Sequence, residues 1–393
     1  MKIGLALSGG GFRATVFHLG VLARLAQDNR LEEVTFLSTV SGGSLCVALI
    51  FAKNNFQWPS SQEYLERILP EAYRLLTTQG LQSDVINRVL SAPWTILQSR
   101  AEVVSELMQT KWGVTASLKD LPQTPRWMIN ATCYESGKDW RFERFRMGDY
   151  VFGYSYDTDL PLSDAVASSA GFPGLIGPLV LDTSKYHWFK YIEHAPGVAA
   201  QPETQLARKT QPIEPEFRFV HLWDGGVYDN HGLEGLMDFN TGWRADVDFF
   251  IVSDGAGRSK PEAYGWGAPA LLRLATGIMM DQIRSLRARA VLERIINHHD
   301  RGAFLQTGNT AGYVLAAAGL PGEEVDRIVA LCLNEEGCQT AANFPTVIRN
   351  LTHLEFENLF RHGYEVADYT LSGYNPDDFQ FRGYNSSTWP LQG

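Results

Sequence analysis

Three short stretches of this 393-residue chain carry residue types whose spacing suits chemistry on acyl groups or phosphates. The first is Gly9-Gly10-Gly11-Phe12-Arg13-Ala14. Successive glycines let backbone N–H groups converge on one point, and a helix that follows adds its positive end. Such a nest holds an anion, whether a phosphate or the oxyanion of acyl transfer. Gly9-x-Gly11-x-x-Ala14 also fits a dinucleotide fingerprint, which needs an acidic residue at the end of the second strand. The corresponding strand here ends at Ser38, with no carboxylate until well beyond it.

The second stretch is Thr39-Val40-Ser41-Gly42-Gly43. A strained strand-to-helix turn lifts its middle serine above a sheet as a nucleophile, and small neighbours relieve the crowding. Gly42 and Gly43 meet that need, whereas Thr39 stands where a glycine is usual, which predicts a slightly wider turn. The competing reading is a helix N-cap made by Ser41 or Ser44. The third stretch is Trp223-Asp224-Gly225-Gly226-Val227-Tyr228-Asp229-Asn230. An aspartate at a strand end, followed by two glycines, brings its carboxylate near the end of another strand. The bland reading is a β-turn opened by aspartate.

Several other groups compete for these roles. Asp254 in Ser253-Asp254-Gly255-Ala256 repeats the aspartate pattern and ranks below Asp224. His221 and His231 flank Asp224 and suit a Ser–His–Asp triad, but one is expected on a strand and the other in a loop opening a helix. A carboxylate base, unlike a histidine, predicts no activity limb near the ordinary histidine value of about 6.5. His298-His299-Asp300 resembles a metal cluster only superficially, because adjacent residues point apart on a helix.

The elements around these stretches read as an α/β protein with a mostly parallel sheet. Lys2–Leu7 and Val34–Ser38 are predicted strands, each followed by a glycine-bearing turn and a helix, the first helix spanning Ala14–Ala26. Ligands in such sheets sit outside the carboxyl ends of strands, where both turns would lie. Residues 60–121 read as helices within an insertion of about 53–120. Arg126–Thr132, Trp140–Phe145, Phe217–Trp223 and Val247–Ser253 read as strands, and Leu271–Ile296 and Thr346–Leu371 as helices. Within a longer irregular region of about 180–215, His194–Pro215 is rich in Pro, Gln and Thr and is a candidate lid. With no repeat or linker, one domain spanning 1–393 is expected.

Composition excludes several classes. The net charge is −10, so a general nucleic-acid binder is excluded for want of clustered positive charge. Four cysteines make neither a disulfide framework nor a CxxC zinc pair. The apolar run Leu45–Ala52 is far short of the ~18 residues of a membrane span. The start of the chain lacks a signal-peptide pattern, so a cytoplasmic protein is expected. Five arginines make the helix around 271–296 basic, which suits either anionic lipid headgroups or a salt-bridged surface. Ten tryptophans, Trp94, Trp112, Trp188 and Trp266 among them, are expected chiefly in the core.

Together the glycine loop, serine turn and Asp-Gly-Gly, in that order, resemble the patatin-like lipid acyl hydrolases. The resemblance extends to SSAGFPGLIGPL (Ser168–Leu179), similar to that family's Ser-Ser-x-x-Pro-Gly segment with one residue more before Pro173. INATCYESG (Ile129–Gly137) and NLTHLEFENLFRHGYEVA (Asn350–Ala367) are similar to the strand preceding it and to the C-terminal helix of bacterial members. The resemblance implies a three-layer α/β/α fold with a Ser–Asp dyad and no catalytic histidine. Carried over, Ser41 is the nucleophile, Asp224 its base, and Gly9, Gly10 and Gly11 the oxyanion hole. Arg13 matches the family's basic residue, in an anchoring or substrate-phosphate role. The implied activity is phospholipase A or lysophospholipase, needing no metal or organic cofactor. Its partners would be a phospholipid or other acyl lipid, with peripheral membrane contact, and neither an activator nor an oligomeric state is specified. The alternatives are a dinucleotide-dependent oxidoreductase using Gly9–Ala14 and a catalytically silent lipid-binding protein on the same fold.

Overall fold

The first strand, β1 (Ile3–Leu7), is five consecutive buried residues, as a strand covered on both faces requires. The computed structural model describes residues 1–81, 100–192, 210–238, 242–257, 261–297 and 301–386. Part of the expected insertion (82–99, with Trp94), most of the candidate lid at 194–215, and His298-His299-Asp300 lie outside the described residues.

β1 pairs in parallel with β2 (Val34–Thr39), and β2 in parallel with β3 (Arg126–Cys133). On the other side β1 pairs in parallel with β11 (Phe249–Asp254), which pairs in parallel with β12 (Gly302–Gln306). Each of these strands is strongly apolar, consistent with helices on both faces. One layer contains α1 (Gly11–Gln27), α2 (Gly42–Lys53) and α5 (His353–Tyr374). Every residue of α1 from Gly11 to Ala26 is buried, because it lies between the sheet and α5. α5 starts later than the sequence pattern suggested. Thr352 caps it in a reciprocal capping box with Glu355, and the preceding residues run irregularly to the glycine loop. On the opposite face, Val291 of α4 (Met280–Asn297) packs into a smaller core with Phe36, Met128 and Val252. The fold is thus the expected α/β/α sandwich around a parallel centre.

The sheet continues beyond β3 through the expected strand near Trp140–Phe145, and from there in a way the sequence pattern did not reveal. β4 (Lys138–Glu143), β5 (Arg146–Asp149), β6 (Gly153–Ser155), β8 (Trp188–Tyr191) and β9 (Thr210–Ile213) extend it by antiparallel pairings. The flank packs around Trp140, Phe152 and Trp188, whose rings meet edge-on or tilted at 4.9–5.6 Å. The strands after β4 are short and closely spaced, so their period-2 signal was too brief to separate from loop.

Two strands matter most for the site. β10 (Phe219–Asp224) is antiparallel to β3 and also pairs with β7 (Leu179–Asp182). β4 takes one edge of β3, leaving β2 and β10 to share the other. Since β2 runs with β3 and β10 runs against it, their carboxyl ends point at each other. Thr39 pairs with Ile129 and Asp224 with Ala131, two positions apart on β3. That is ~7 Å of strand.

Candidate active site

Ser41 lies two residues beyond the end of β2, at φ 49° and ψ −113°, a backbone conformation rare for a residue with a side chain. The turn is tight despite Thr39. A Cβ at Gly42 would meet Gly11 O at 2.4 Å, and one at Gly43 would meet Leu7 O at 2.3 Å, so neither position accepts a side chain. Thr39 does not widen the turn but anchors it. Its hydroxyl accepts from Trp127 Nε1 at 2.9 Å and lies 2.8 Å from Ser44 Oγ. Ser44 Oγ is 2.9 Å from Ser169 Oγ, which accepts the Ser41 N–H at 3.0 Å. Ser41 stands at the N-cap position of α2 without making a side-chain capping bond, so the capping reading fails. Its side chain is buried but open to a cleft.

Asp224 ends β10 on the strand's buried face with Val220 and Leu222, while His221 alternates to the other face. The segment after α3 (Leu162–Ser169) braces it. Gly171 O accepts the Asp224 N–H at 3.2 Å and Ser169 O accepts the Gly225 N–H at 3.2 Å. Ser169 therefore touches the backbone on both sides of the site, through its hydroxyl toward Ser41 and its carbonyl toward Gly225. Asp224 Oδ1 accepts the Gly226 N–H at 2.7 Å, so the Asp-Gly-Gly turn forms as well. Oδ2 accepts no hydrogen bond among the described residues. Burial pushes the pKa of Asp224 up to about 7, against the opposing pull of the Gly226 N–H and the Ser41 hydroxyl. The hydroxyl is thus close enough to favour the carboxylate.

The glycine loop faces Ser41 across the same cleft. Of its three amides, that of Gly9 is engaged by Asn230 O at 3.1 Å. Gly10 is the N-cap of α1 and Gly11 its first residue, positions whose N–H groups the helix does not use. Arg13 lines the cleft and bonds the protein beside it. Its Nε donates to Gly255 O at 3.1 Å, Nη1 to Phe344 O, and Nη2 to Thr346 Oγ1 at 3.3 Å. Burial, with the nearby Arg284, lowers its value to about 10, and Asp254 opposes the shift, so it stays charged. These contacts are those expected of a loop anchor, with Nε, Nη1 and Nη2 each bonded to the protein. Residues 344–347 complete the loop's support, with the Phe12 N–H bonded to Val347 O at 2.9 Å.

The competing groups are occupied elsewhere. Asp254 bonds Arg284 Nε at 2.9 Å, lies 3.3 Å from His231 Nε2, and accepts the Ala256 N–H at 3.1 Å. Burial raises its value, but Arg284 and His231 outweigh that and hold the carboxyl well below the usual range, so it is a poor base. His221 pairs with Glu135 at 2.6 Å. His18, pushed down to about 4 chiefly by burial, lies between Ser253 Oγ and Ser8 O. None of the three histidines lines the cleft. Burial places the Asp224 carboxyl itself near histidine's range, so a limb there does not by itself separate the two kinds of base. The remaining cleft wall is largely apolar, including Leu45, Phe172, Leu175, Ile176 and Met280. Sequence reasoning missed Thr39 and Ser44 as anchors, Ser169 as a brace and Asn230 as the partner of Gly9. Ser169 and Asn230 lay inside the recognised motifs, but only the fold shows what they bond.

A parallel-centred α/β/α sandwich thus brings a strained serine, a buried carboxylate and the helix-start amides of Gly10 and Gly11 to one cleft. The family model described as patatin-like phospholipase matches residues 5–237, more than half of the chain. The chain belongs to the patatin-like phospholipase family. It is 26% identical over 188 residues to a patatin-like phospholipase domain-containing protein of Aspergillus clavatus, a match covering 47% of this chain and 23% of that protein. Human GIVD cytosolic phospholipase A2 superposes with a TM-score of 0.51 at 14% identity, covering 96% of this chain and 62% of that one. Its complex with methyl gamma-linolenyl fluorophosphonate gives the same TM-score, covering 58% of that chain. At this identity the likeness establishes the fold alone. The chain spans less than two thirds of the length of each of these proteins. Among the described residues no helix is long and apolar enough to cross a membrane.

Proposed function

We propose that this chain hydrolyses fatty-acyl esters of lipids, as a phospholipase A or lysophospholipase, through a Ser41–Asp224 dyad and an acyl-enzyme. Ser41 Oγ attacks the ester carbonyl carbon while its proton passes to Asp224 Oδ2, the oxygen left without a partner. The carbonyl oxygen gains the negative charge and is received by the Gly10 and Gly11 N–H groups at the start of α1. Collapse breaks the ester C–O bond, and the departing alcohol takes the proton back from Asp224. Water then attacks the acyl-enzyme with Asp224 again as base, and fatty acid leaves. A base with a value near 7 is well matched to this task at neutral pH.

The observation that carries the reading is the head-on approach of β2 and β10 along one edge of β3, which brings serine and carboxylate into one cleft. The mechanism calls on no metal or organic cofactor. The apolar wall formed by Leu45, Phe172, Leu175 and Ile176 suits an acyl chain, and substrate in a bilayer implies peripheral membrane contact. The test is turnover of a phospholipid and of a p-nitrophenyl ester by wild type, Ser41→Ala and Asp224→Ala, with products identified by mass spectrometry. Both variants are expected to lose activity on both substrates. Unchanged turnover in either folded variant removes that residue from the mechanism.

A further inference from the structure

One polar side chain beside the dyad takes no part in the steps above. Asn230 follows the Asp-Gly-Gly turn and lines the cleft with Ser41, Asp224 and the three loop glycines. Its backbone carbonyl is already engaged, by the Gly9 N–H at 3.1 Å. Its side chain is not: the residue is half-buried, and among the described residues its carboxamide makes no hydrogen bond. Asn130 shows the contrast, because its Nδ2 is spent on Ser38 Oγ and Thr39 O, both at 3.0 Å. Nor does the chain need asparagine at 230 for its turn, since φ −67° and ψ −18° suit any residue.

Two glycines make room for this carboxamide. A Cβ on Gly9 would stand 2.6 Å from Asn230 Oδ1, and a Cβ on Gly226 would stand 2.6 Å from the same atom. The first would also meet Ser41 Cβ at 3.0 Å, and the second Asp224 Oδ1 at 2.9 Å. The carboxamide therefore sits between the loop that faces the serine and the turn that holds the carboxylate. With Oδ1 turned to both glycines, the trigonal Cγ carries Nδ2 on a different heading, and its two N–H donors bond no described group. Donors held in place and left unbonded, where negative charge develops, are what preorganised stabilisation requires.

We propose that Asn230 is a catalytic residue whose Nδ2 donates to the ester oxygen as it becomes an oxyanion, beside the Gly10 and Gly11 N–H groups. The inference rests on the Ser41–Asp224 reading above and adds a side chain to its oxyanion hole. Asn230 thus takes the Gly9 amide out of use with its backbone and replaces it with its side chain. A neutral donor also suits the place. A cation there would favour ionised Asp224 and pull its pKa down from about 7, weakening the base. A donor to charge that develops only during reaction acts on kcat more than on KM.

The test is hydrolysis of p-nitrophenyl butyrate by wild type, Ser41→Ala, Asn230→Ala and Asn230→Asp, with a thermal melt of each. Asn230→Ala keeps the carbonyl that engages Gly9, and should lower kcat about 100-fold with KM within about threefold. Asn230→Asp is nearly isosteric, so it stands in should the alanine variant melt early. It puts an acceptor in place of the donor, and should fall at least as far while its pH limb moves upward, because a second carboxylate opposes ionisation of Asp224. A long-chain trifluoromethyl ketone supplies the readout that mere packing would not give. Ser41 Oγ adds to its carbonyl carbon, the serine proton passes to Asp224, and the carbonyl oxygen becomes the anion. Its Ki should rise about 100-fold in Asn230→Ala, in step with the loss in kcat/KM. The Ki of an ether-linked lysophospholipid, which has no carbonyl, should stay within about threefold. A kcat within about threefold of wild type in the folded variants, or equal weakening of ketone and ether, overturns the donor role and leaves the dyad standing. Full activity in Ser41→Ala beside a lowered kcat in Asn230→Ala sinks the dyad and upholds the donor. Wild type that hydrolyses no ester sinks both.

Discussion

Asp224→Asn should abolish activity and stabilise the fold at alkaline pH, in one substitution. Asparagine is nearly isosteric and keeps an oxygen for the Gly226 N–H, so the turn is preserved. Burial raises Asp224 from 3.8 to about 7, which means that the folded state disfavours its ionised form. Stability from the protonated carboxyl is fully present below 3.8 and is lost as pH rises through about 7. The total loss is about 4 kcal/mol, with about 3 kcal/mol of it falling between pH 5 and pH 8. Urea unfolding of wild type and Asp224→Asn at those two pH values measures the difference directly. The variant should gain on wild type by about that smaller amount as pH rises. Its turnover should fall by about two to four orders of magnitude with the loss of a general base. Wild-type kcat/KM should climb through a limb near 7 that survives His221→Gln. A stability difference that is the same at pH 5 and pH 8, or a rate flat from pH 6 to 8, would refute both the burial argument and the assignment of the base.

Other outcomes follow from the same geometry. Ser41→Ala should abolish labelling by a fluorophosphonate probe, and persistent labelling would place the nucleophile elsewhere. Ser169→Ala takes the acceptor from the Ser41 N–H, and should cost about 1–3 kcal/mol in unfolding experiments and lower kcat more than it raises KM; an unchanged kcat would show that the brace is not needed. Asp254→Asn leaves buried Arg284 with only the partly exposed Asp281 as counter-charge and should destabilise by up to about 3–5 kcal/mol. Its pH–activity limb should stay where it was, and a shifted limb would mean that Asp254 shares the base role. Gly43→Ala forces a methyl group to 2.3 Å from Leu7 O and should lower the melting temperature with loss of labelling, whereas a neutral result would refute the crowding of the turn.

The amino-acid sequence by itself determined the local pieces of the candidate site. Glycines 9–11 at the mouth of β1, the small residues after Ser41 and the Asp-Gly-Gly at the end of β10 encode conformations that depend on near neighbours. Buried runs such as Ile3–Leu7 and Phe249–Asp254 likewise announced strands covered on both faces. The motifs' order carried the family resemblance too. Ranking Asp224 above Asp254 needed only motif context, and the structure supplies the physical ground for it: one carboxylate is tied up by Arg284 and His231, the other has an oxygen to spare.

Tertiary structure alone decided what joins those pieces. The parallel rim expected for both groups is only half of the arrangement, because Asp224 arrives on an antiparallel strand that meets β2 end to end along β3. No local pattern reveals which edge of β3 a strand some ninety residues later will take. The acidity of Asp224 is equally non-local, since desolvation depends on everything packed around a group rather than on its sequence neighbours. So is the bond by which Asn230 O engages the Gly9 N–H, leaving Gly10 and Gly11 as the amides proposed for the oxyanion. Spacing in the chain fixes what a residue is able to do; distance, burial and shared edges, set by the whole fold, fix what it meets.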